Sequence, residues 1–427
     1  MSGLLRARAE SAGEGRSPRD TSVVFLFLTG GPSHLETFDP KMTAPAEYRS
    51  VTGETATRLP GVTFGGTFPQ MARWAHRLAV VRSFSHQTSD HTRAVQQVLR
   101  GGNSGGASLG GILARLRGTS HPASGMPTHI YLSETERDPQ FDKERQRLLQ
   151  AAGPGQLGGA YAPFPLGFNS PVGRDLRLCI PRRRLEDRRT LRNAFDQIAR
   201  AVDTEGTLAA MDRYEQQAFE ILVGRSRGAF DLSREGPRVV ARYDTRGYQT
   251  GLKEYRPSSL GLQLLLARRL CEAGCGFVTI HNPGWDMHGG DTQLDMRRGM
   301  DELGRPVDHA VAAFLEDVEQ RGLSQNLLLV ITGEFGRTPR INSNGGRDHW
   351  PQLSTLALAG GGLRMGQVVG ESTARAESPR TNPVTIANLL ATVLHVLLHD
   401  EARRRIAALP GAVAATVASA RPIAQLI

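Results

Sequence analysis

The stretch from Leu327 to Pro351 constrains this chain most, because an apolar run there leads directly into a group of charged residues. Its first residues, Leu327–Ile331, form a short, branched, apolar run, as in a strand buried on both faces of a sheet. Glu334 and Arg337 follow the run closely. Because open α/β sheets bind ligands outside the carboxyl ends of their strands, the stretch predicts a functional site at such a strand end.

Two further apolar runs, Val23–Leu28 and Gly276–His281, have the same layout, because each is followed by glycine and then by polar side chains. A strand, a helix and a second strand recur between residues 276 and 332, at a spacing that indicates parallel pairing. The carboxyl ends of parallel strands lie at one edge of a sheet, so the residues that follow these strands can converge. The polar residues that follow the two runs are Ser33, His34, Asp286 and His288.

The predicted fold class is therefore α/β, with a largely parallel central sheet flanked by helices. We expect residues 22–427 to form a single domain, with a helical and loop insertion at about residues 135–235. Charged and Gly/Pro-rich segments in that insertion precede a stretch with helical spacing. Residues 1–21 are polar and rich in Arg, Gly and Ser, which predicts a disordered leader.

The chain of 427 residues carries a formal net charge of +10, which we attribute to arginines spread over the surface. Its arginine runs lack interleaved aromatic residues and any recognisable binding motif, so nucleic acid is not an expected partner. A basic cleft would instead favour an anionic substrate, either a small molecule or a polymer. The three cysteines provide no disulfide framework.

No apolar run reaches the roughly 18 residues of a membrane span, so no transmembrane segment is predicted. The leader lacks the apolar core of a signal peptide, which predicts a cytoplasmic protein for the sequence as given. A periplasmic or exported protein is expected instead if the gene start is truncated.

Acidic and imidazole side chains at the strand exits are candidate metal ligands. Asp286 and His288 are two residues apart on a turn, so both could reach one ion, unless they lie on a simple surface turn. Asp348 and His349 are further candidates, or they anchor their loop through hydrogen bonds. Carboxylates and imidazoles favour a divalent ion, with zinc as the first expectation and manganese or calcium as alternatives.

Charged residues beside these ligands could act on a bound anion. Arg337 and Arg347 present planar donor groups that suit an anionic oxygen, although either could instead pair with Glu334 or Asp348. His91 is expected in the first turn of a helix, where the free N–H groups favour anions. The alternative for His91 is a capping loop with solvated histidines.

Four segments in order resemble a known family. They are TGGPSHLETFDPK, the segment Arg82–Gly102, GWDMH, and GEFGRTP followed by GRDHWP. Together, from about Val23 to the end of the chain, they are similar to the bacterial family called domain of unknown function 1501. That family is regarded as related to the alkaline phosphatase and sulfatase superfamily. The resemblance implies a mixed sheet flanked by helices, with a metal site at the carboxyl ends of the strands, and it brings no known substrate.

The resemblance also implies roles for particular residues. Asp286 and His288 resemble the Asp and His that bind the first metal of the superfamily. His349 resembles the later His of that same site. Glu334 falls where the superfamily usually has an Asp followed by a His. The first metal site is therefore expected to be largely retained.

Three positions depart from the superfamily pattern. Phe335 replaces the His that would follow the acidic residue, and Thr29 stands where the first strand usually ends in a metal-binding Asp. His91 stands where the superfamily places a Ser, Thr or Cys nucleophile at a helix N-terminus. A second metal site is therefore expected to be weakened, and His91, or neighbouring Thr92 or Ser89, would have to replace the nucleophile.

These observations lead to the hypothesis of a metal-dependent hydrolase of phosphate or sulfate esters or of a related anion. The metal would polarise an ester oxygen or activate water. A non-catalytic binding protein on the same fold is the alternative, which the three departures favour. The residues expected to act are Asp286, His288, His349 and Asp348 as metal ligands, His91, Glu334, Arg337 and Arg347 as catalytic groups, and Ser33, His34 and Thr92 in substrate binding.

Overall fold

The computed structural model describes residues 21–134, 139–168, 225–398 and 405–427. The predicted leader, apart from its last residue, lies outside these ranges. Most of the helical part of the predicted insertion also lies outside them.

Strands account for the central layer of the described structure. They are β1 (Ser22–Leu28), β2 (Glu54–Ala56), β3 (Thr63–Gly65), β4 (Ala79–Val81), β5 (His129–Ser133), β6 (Phe164–Gly167), β7 (Gln249–Thr250), β8 (Arg256–Pro257), β9 (Phe277–Asn282), β10 (Leu327–Thr332), β11 (Gly336–Arg337), β12 (His349–Trp350), β13 (Leu356–Gly360) and β14 (Gln367–Val369).

Eight of these strands form one sheet in the order β14-β4-β13-β10-β1-β9-β5-β6. The pairings of β1 with β10 and β9, of β5 with β9 and β6, and of β4 with β14 are parallel. Among the described strands of this sheet, only β13 runs antiparallel to its neighbours, β10 and β4. The carboxyl ends of β1, β4, β9 and β10 therefore lie at the same edge. This confirms the predicted α/β class with a largely parallel sheet.

Helices cover both faces of the sheet. The α-helices of the described ranges are α1 (His34–Thr37), α2 (Pro69–Arg73), α3 (His91–Arg100), α4 (Leu109–Arg117), α5 (Asp142–Ala151), α6 (Pro237–Arg242), α7 (Leu260–Glu272), α8 (Met296–Gly299), α9 (Arg305–Gln320), α10 (Ile386–Leu397) and α11 (Gly411–Ser419). A π-helical segment, Met300–Gly304, joins α8 to α9.

The central strand β1 is fully buried, and its alternate residues face two different helical layers. Val24, Leu26 and Leu28 pack with the apolar faces of α7 and α9. Val23, Phe25 and Phe27 pack on the other side with α3, α4 and α10. Burial on both faces explains why the run VVFLFL shows no polar alternation, and it fixes the strand whose exit begins the site.

The helix that carries His91 begins and ends where its sequence predicts. Asp90 caps it, because the Asp90 side chain accepts a hydrogen bond from the backbone N–H of Arg93. Gly101 ends it in the left-handed conformation, with φ of 62°. His91 is therefore the first residue of a regular helix, immediately after the loop that leaves β4.

Two elements within residues 135–235 were not predicted. Helix α5 and strand β6 both lie there, and β6 pairs with β5 as an edge strand of the main sheet. The segment of β6, Phe164–Gly167, contains proline, which is tolerated at a sheet edge. Because of the proline, the segment does not show the apolar alternation that indicates a strand. No helix within the described ranges is long and apolar enough to cross a membrane.

Candidate metal centre

Four strand exits meet at the carboxyl edge of the sheet and deliver a group of acidic and imidazole side chains. The exit of β1 approaches the exit of β9 so closely that a Cβ atom at Gly30 would lie 2.4 Å from the backbone nitrogen of Asp286. Gly30 has φ of 116°, which favours glycine, so the sequence pair Gly30-Gly31 is required by this contact. The ribbon of β11 and β12 places His349 opposite Arg337.

Three of the predicted ligands converge on one another. The Nε2 atom of His288 lies 3.0 Å from Asp286 Oδ1 and 3.0 Å from the Nε2 atom of His349. The Nε2 atom of His349 lies 3.3 Å from the same carboxylate oxygen. His91 adds a third nitrogen, with its Nε2 atom 3.5 Å from Asp286 Oδ1. Among the described residues, His91, Asp286 and His349 have ligand atoms that all lie within 4.8 Å of one another.

These distances fit a metal site. Nitrogen and oxygen ligands at zinc distances lie about 3.3 Å from one another, and the separations between Asp286 Oδ1 and the three imidazole nitrogens approach that length. Two imidazole nitrogens at 3.0 Å can share at most one proton, so the pair leaves at least one lone pair directed at the cluster. A divalent cation would satisfy all of these lone pairs together.

Each histidine is oriented by an acceptor on its other ring nitrogen. His288 donates from Nδ1 to Asp348 Oδ1 at 2.8 Å, and His349 donates from Nδ1 to the backbone carbonyl of Ser89 at 3.0 Å. His91 donates from Nδ1 to Glu334 Oε1 at 2.8 Å. These acceptors hold the proton at Nδ1, which leaves Nε2 as the atom that can bind a metal. The same arrangement surrounds metal-bound histidines in general.

Glu334 is fully buried, and its carboxylate supports the side chains of the cluster. Its Oε1 atom also accepts a hydrogen bond from the backbone N–H of Gly30 at 2.8 Å, while its Oε2 atom is buried without a partner. The hydroxyl of Thr29 is likewise buried without a partner. His86 donates from Nε2 to the backbone carbonyl of Glu334 at 2.7 Å. Unsatisfied buried oxygens of this kind call for an explanation such as a water molecule or an ion.

Arg337 lies fully buried beside the cluster. Its guanidinium donates to Asp286 Oδ1 at 2.6 Å and to the Nε2 atom of His288 at 3.1 Å. The remaining donors reach the carbonyls of Gly30, Gly31 and Arg347. The predicted alternative of a bridge to Glu334 is not observed, because the guanidinium pairs with Asp286 instead.

The close packing of these charges shifts their pKa values. Burial alone would lower the pKa of His91, but hydrogen bonds to Asp286 and Glu334 outweigh burial and raise the pKa to about 9. Burial would likewise raise the pKa of Asp286, yet donors from the histidines and Arg337 hold it well below its usual range. The hydrogen bond to Asp286 raises the pKa of His288. Each shift reflects one carboxylate shared by several cationic or donor groups.

Some predicted residues have other partners. Arg347 is fully buried, but it pairs with Glu36 at 3.1 Å and donates to the carbonyl of Arg49, so it supports the loops beneath the site. The Ser33 hydroxyl caps α1, and His34 is buried with Nε2 bonded to the carbonyl of Ala376. Burial lowers the pKa of His34 to about 4. Thr92 is exposed in the first turn of α3, beside His91.

Asp348 lies in the outer shell of the cluster, with its carboxylate on His288 Nδ1. Other residues of this shell were not among the predicted site residues. Gln293 donates to Asp286 Oδ2 at 3.1 Å, and the ring of Phe335 packs against that of His349 at 4.6 Å between ring centroids. Glu144 on α5 accepts a hydrogen bond from the backbone N–H of Gly284, and burial raises the pKa of this carboxyl to about 8.

The fold and this cluster together define an α/β protein with a candidate metal centre at the carboxyl edge of its sheet. The family described as "Protein of unknown function (DUF1501)" matches residues 20–427, so the chain belongs to that family. This agrees with the resemblance found in the sequence. None of the curated proteins matches the chain by sequence.

Solved structures with a distant likeness come from bacteria. The PsFucS1 sulfatase from Pseudoalteromonas sp. is 11% identical, covering 94% of this chain and 72% of its own, with a TM-score of 0.38. The lipoteichoic acid synthase LtaP from Listeria monocytogenes is 9% identical, covering 92% and 78%, with a TM-score of 0.38. The phosphonate monoester hydrolase SpPMH from Silicibacter pomeroyi is 13% identical, covering 88% and 73%, with a TM-score of 0.32.

Proposed function

We propose that this chain is a metal-dependent hydrolase of phosphate or sulfate esters or of a related anion. One observation carries the proposal. The imidazole nitrogens of His288, His349 and His91 face one oxygen of Asp286, and each imidazole is fixed through its other nitrogen. Two histidines and one carboxylate, with a further group opposite, form the ligand set of a catalytic zinc site that keeps one position open.

Asp286, His288 and His349 would hold the ion, with Asp348 orienting His288. When bound, a divalent ion supplies positive charge that polarises an ester oxygen and lowers the pKa of water. Such charge suits an anionic ester because the transferred group carries negative charge on its oxygens. Zinc fits the nitrogen-rich ligand set best, and manganese is the alternative that the same ligands would accept.

His91 is placed to move a proton. Its Nδ1–H is held by the buried carboxylate of Glu334, so the Nε2 atom points into the cluster where a ligand would bind. A carboxylate that orients an imidazole and stabilises its charged form is the arrangement that general acid–base catalysis uses. We therefore assign proton transfer to His91 and the positioning of its ring to Glu334.

Stabilisation of the anion by Arg347 is not part of this proposal, because its guanidinium is bonded to Glu36 and to backbone carbonyls. Arg337 likewise has its donors directed to protein acceptors. Among the described residues, the exposed Thr92 beside His91 is the hydroxyl-bearing side chain we expect nearest to the substrate. A non-catalytic binding protein is the alternative, since no described Ser, Thr or Cys side chain is bonded to the cluster.

The test begins with metal binding by the purified full-length chain. Metal-stripped protein is titrated with Zn²⁺ or Mn²⁺ in a calorimeter and then assayed with an aryl phosphate and an aryl sulfate. We expect stoichiometric binding and metal-dependent turnover of one of the two esters. Loaded protein that turns over neither ester would favour the binding alternative.

Substitution of His288 by alanine tests the ligand assignment. We expect His288→Ala to lose stoichiometric metal and turnover, because one ligand and its link to Asp348 are removed together. His76→Ala is the matched control, since His76 is also a partly buried histidine but lies outside the cluster, stacked on Trp74. Unchanged metal content in His288→Ala would overturn the assignment.

A further inference from the structure

Arg337 places a permanent positive charge inside the ligand cluster. The guanidinium is completely buried, and its five N–H groups have acceptors in Gly30, Gly31, Arg347, Asp286 and His288. Two of these acceptors, Asp286 Oδ1 and His288 Nε2, are candidate ligand atoms of the proposed metal centre, and Nε2 would exchange its bond to the guanidinium for the ion because it has one lone pair. Because arginine stays protonated in proteins, the charge is fixed at any working pH.

The position of this charge limits how many cations the centre can hold. The carboxylates of Asp286, Glu334 and Asp348 and the guanidinium of Arg337 leave a net charge of −2, with the histidines neutral as ligands. One divalent ion neutralises that charge. A second divalent ion would leave a surplus of positive charge beside Arg337 and Glu334, whose side chains are fully buried, and such a surplus is unfavourable.

The geometry leads to the same limit. A further ion would need acceptors beyond those of the first ion, and the Thr29 hydroxyl and Glu334 Oε2 are two buried oxygens without a partner in the segments that follow β1 and β10. The guanidinium bonds to the carbonyls of Gly30 and Gly31, which directly follow Thr29, and to Asp286. The oxygen of Asp286 that the histidines face therefore already has a cationic partner.

We propose that Arg337 is an internal cation that restricts this centre to one divalent ion. The inference rests on the metal centre of the proposed function and adds its stoichiometry and the residue that sets it. Arg337 acts on the ion through Asp286 and His288, so it is a positioning and charge-setting residue. With a neutral side chain at this position the charge no longer opposes a second ion, for which the unpartnered Thr29 and Glu334 oxygens are candidate acceptors.

The contrast with Arg347 provides a matched control. Both arginines are fully buried and both pair with a carboxylate, but Arg347 bonds to Glu36 and touches no ligand atom. The Glu36 carboxylate also accepts from the Ser50 hydroxyl and from the backbone of Val51 and Thr52. Removing a buried guanidinium should therefore lower stability in the variants of both Arg337 and Arg347. The number of bound ions should change only in the Arg337 variant.

The experiment titrates metal-stripped wild type, Arg337→Gln, Arg337→Lys and Arg347→Gln with Zn²⁺, reading ions per chain by calorimetry and by elemental analysis after gel filtration. We expect one ion in wild type, in Arg337→Lys and in Arg347→Gln. In Arg337→Gln we expect a second ion, together with at least about tenfold tighter binding of the first, because a nearby positive charge is removed.

Two ions in the wild type, or one ion at unchanged or weaker affinity in Arg337→Gln, would overturn the inference while leaving the metal centre intact. No ion in the wild type would refute the centre itself, and the inference with it. If Arg337→Gln does not fold, as judged by circular dichroism, the ion number of the wild type and of Arg337→Lys still decides, because two ions in either one contradict the proposal.

Discussion

Asp348 offers a sharp test of how the centre is built. The sequence predicts that Asp348 is a metal ligand, whereas in the structure its carboxylate contacts the ring of the candidate ligand His288. Asp348 Oδ1 accepts the Nδ1–H of His288 at 2.8 Å and also the amide of Asn342 at 3.3 Å. Its side chain is 57% exposed, so solvent screens much of its charge. Removing an outer-shell partner of a ligating histidine typically lowers metal affinity about 10- to 100-fold.

We therefore expect Asp348→Asn, which keeps an acceptor but loses the charge, to weaken Zn²⁺ binding about tenfold, or about 1.4 kcal/mol. Asp348→Ala removes the acceptor as well and should approach a hundredfold loss at unchanged stoichiometry. Both are measured by competition with a chelator of known affinity. Asp301→Asn is the control, because Asp301 is 56% exposed and pairs with Arg305 outside the cluster. Loss of stoichiometric binding would make Asp348 a direct ligand, and wild-type affinity in Asp348→Ala would refute the orienting role.

Two further predictions concern the frame of the site. Gly30→Ala should destabilise the fold by about 3 kcal/mol or more and weaken metal binding, since its Cβ would meet the backbone of Asp286 at 2.4 Å, where only a backbone shift relieves the contact. Gly53→Ala, with φ of 80° but open space, should cost only about 1 kcal/mol, so equal losses in urea denaturation would contradict this reasoning. Burial raises the pKa of Asp308 to about 6, above its unfolded value, so its protonated form favours the folded state. We expect stability to fall by about 3 kcal/mol as pH rises from about 4 through 6, and Asp308→Asn to lack this slope; an equal slope in both proteins would count against it.

The sequence predicted the sheet and the convergence of the candidate ligands for the same physical reason. Strands such as Val23–Leu28 and Leu327–Ile331 are buried on both faces, so their apolar runs stand out, and the residues that leave them must lie at the sheet edge. Asp286, His288 and His349 could therefore be placed together without knowing the loops. The short strand β6 could not, because a proline-containing edge strand has no such pattern.

The outer shell was less predictable, because it depends on contacts between segments far apart in the chain. The carbonyl of Ser89 orients His349 across 260 positions, and the side chain of Gln293 reaches Asp286 from a loop without periodicity. Backbone acceptors carry no residue-type signal at all. Sequence could therefore name candidate ligands, whereas the atoms that orient them had to be found in three dimensions.

The two buried arginines show most clearly where sequence reasoning stops. Arg337 and Arg347 lie ten residues apart in one motif, and either could have met an anion or a carboxylate. The structure separates them by their acceptors, since Arg337 is on the ribbon strand that faces His349, while Arg347 extends toward Glu36 on α1. A residue's charge is fixed by its type, but its effect depends on which carboxylate it neutralises. Here that difference decides whether an arginine tunes a metal centre or only supports the loops around it.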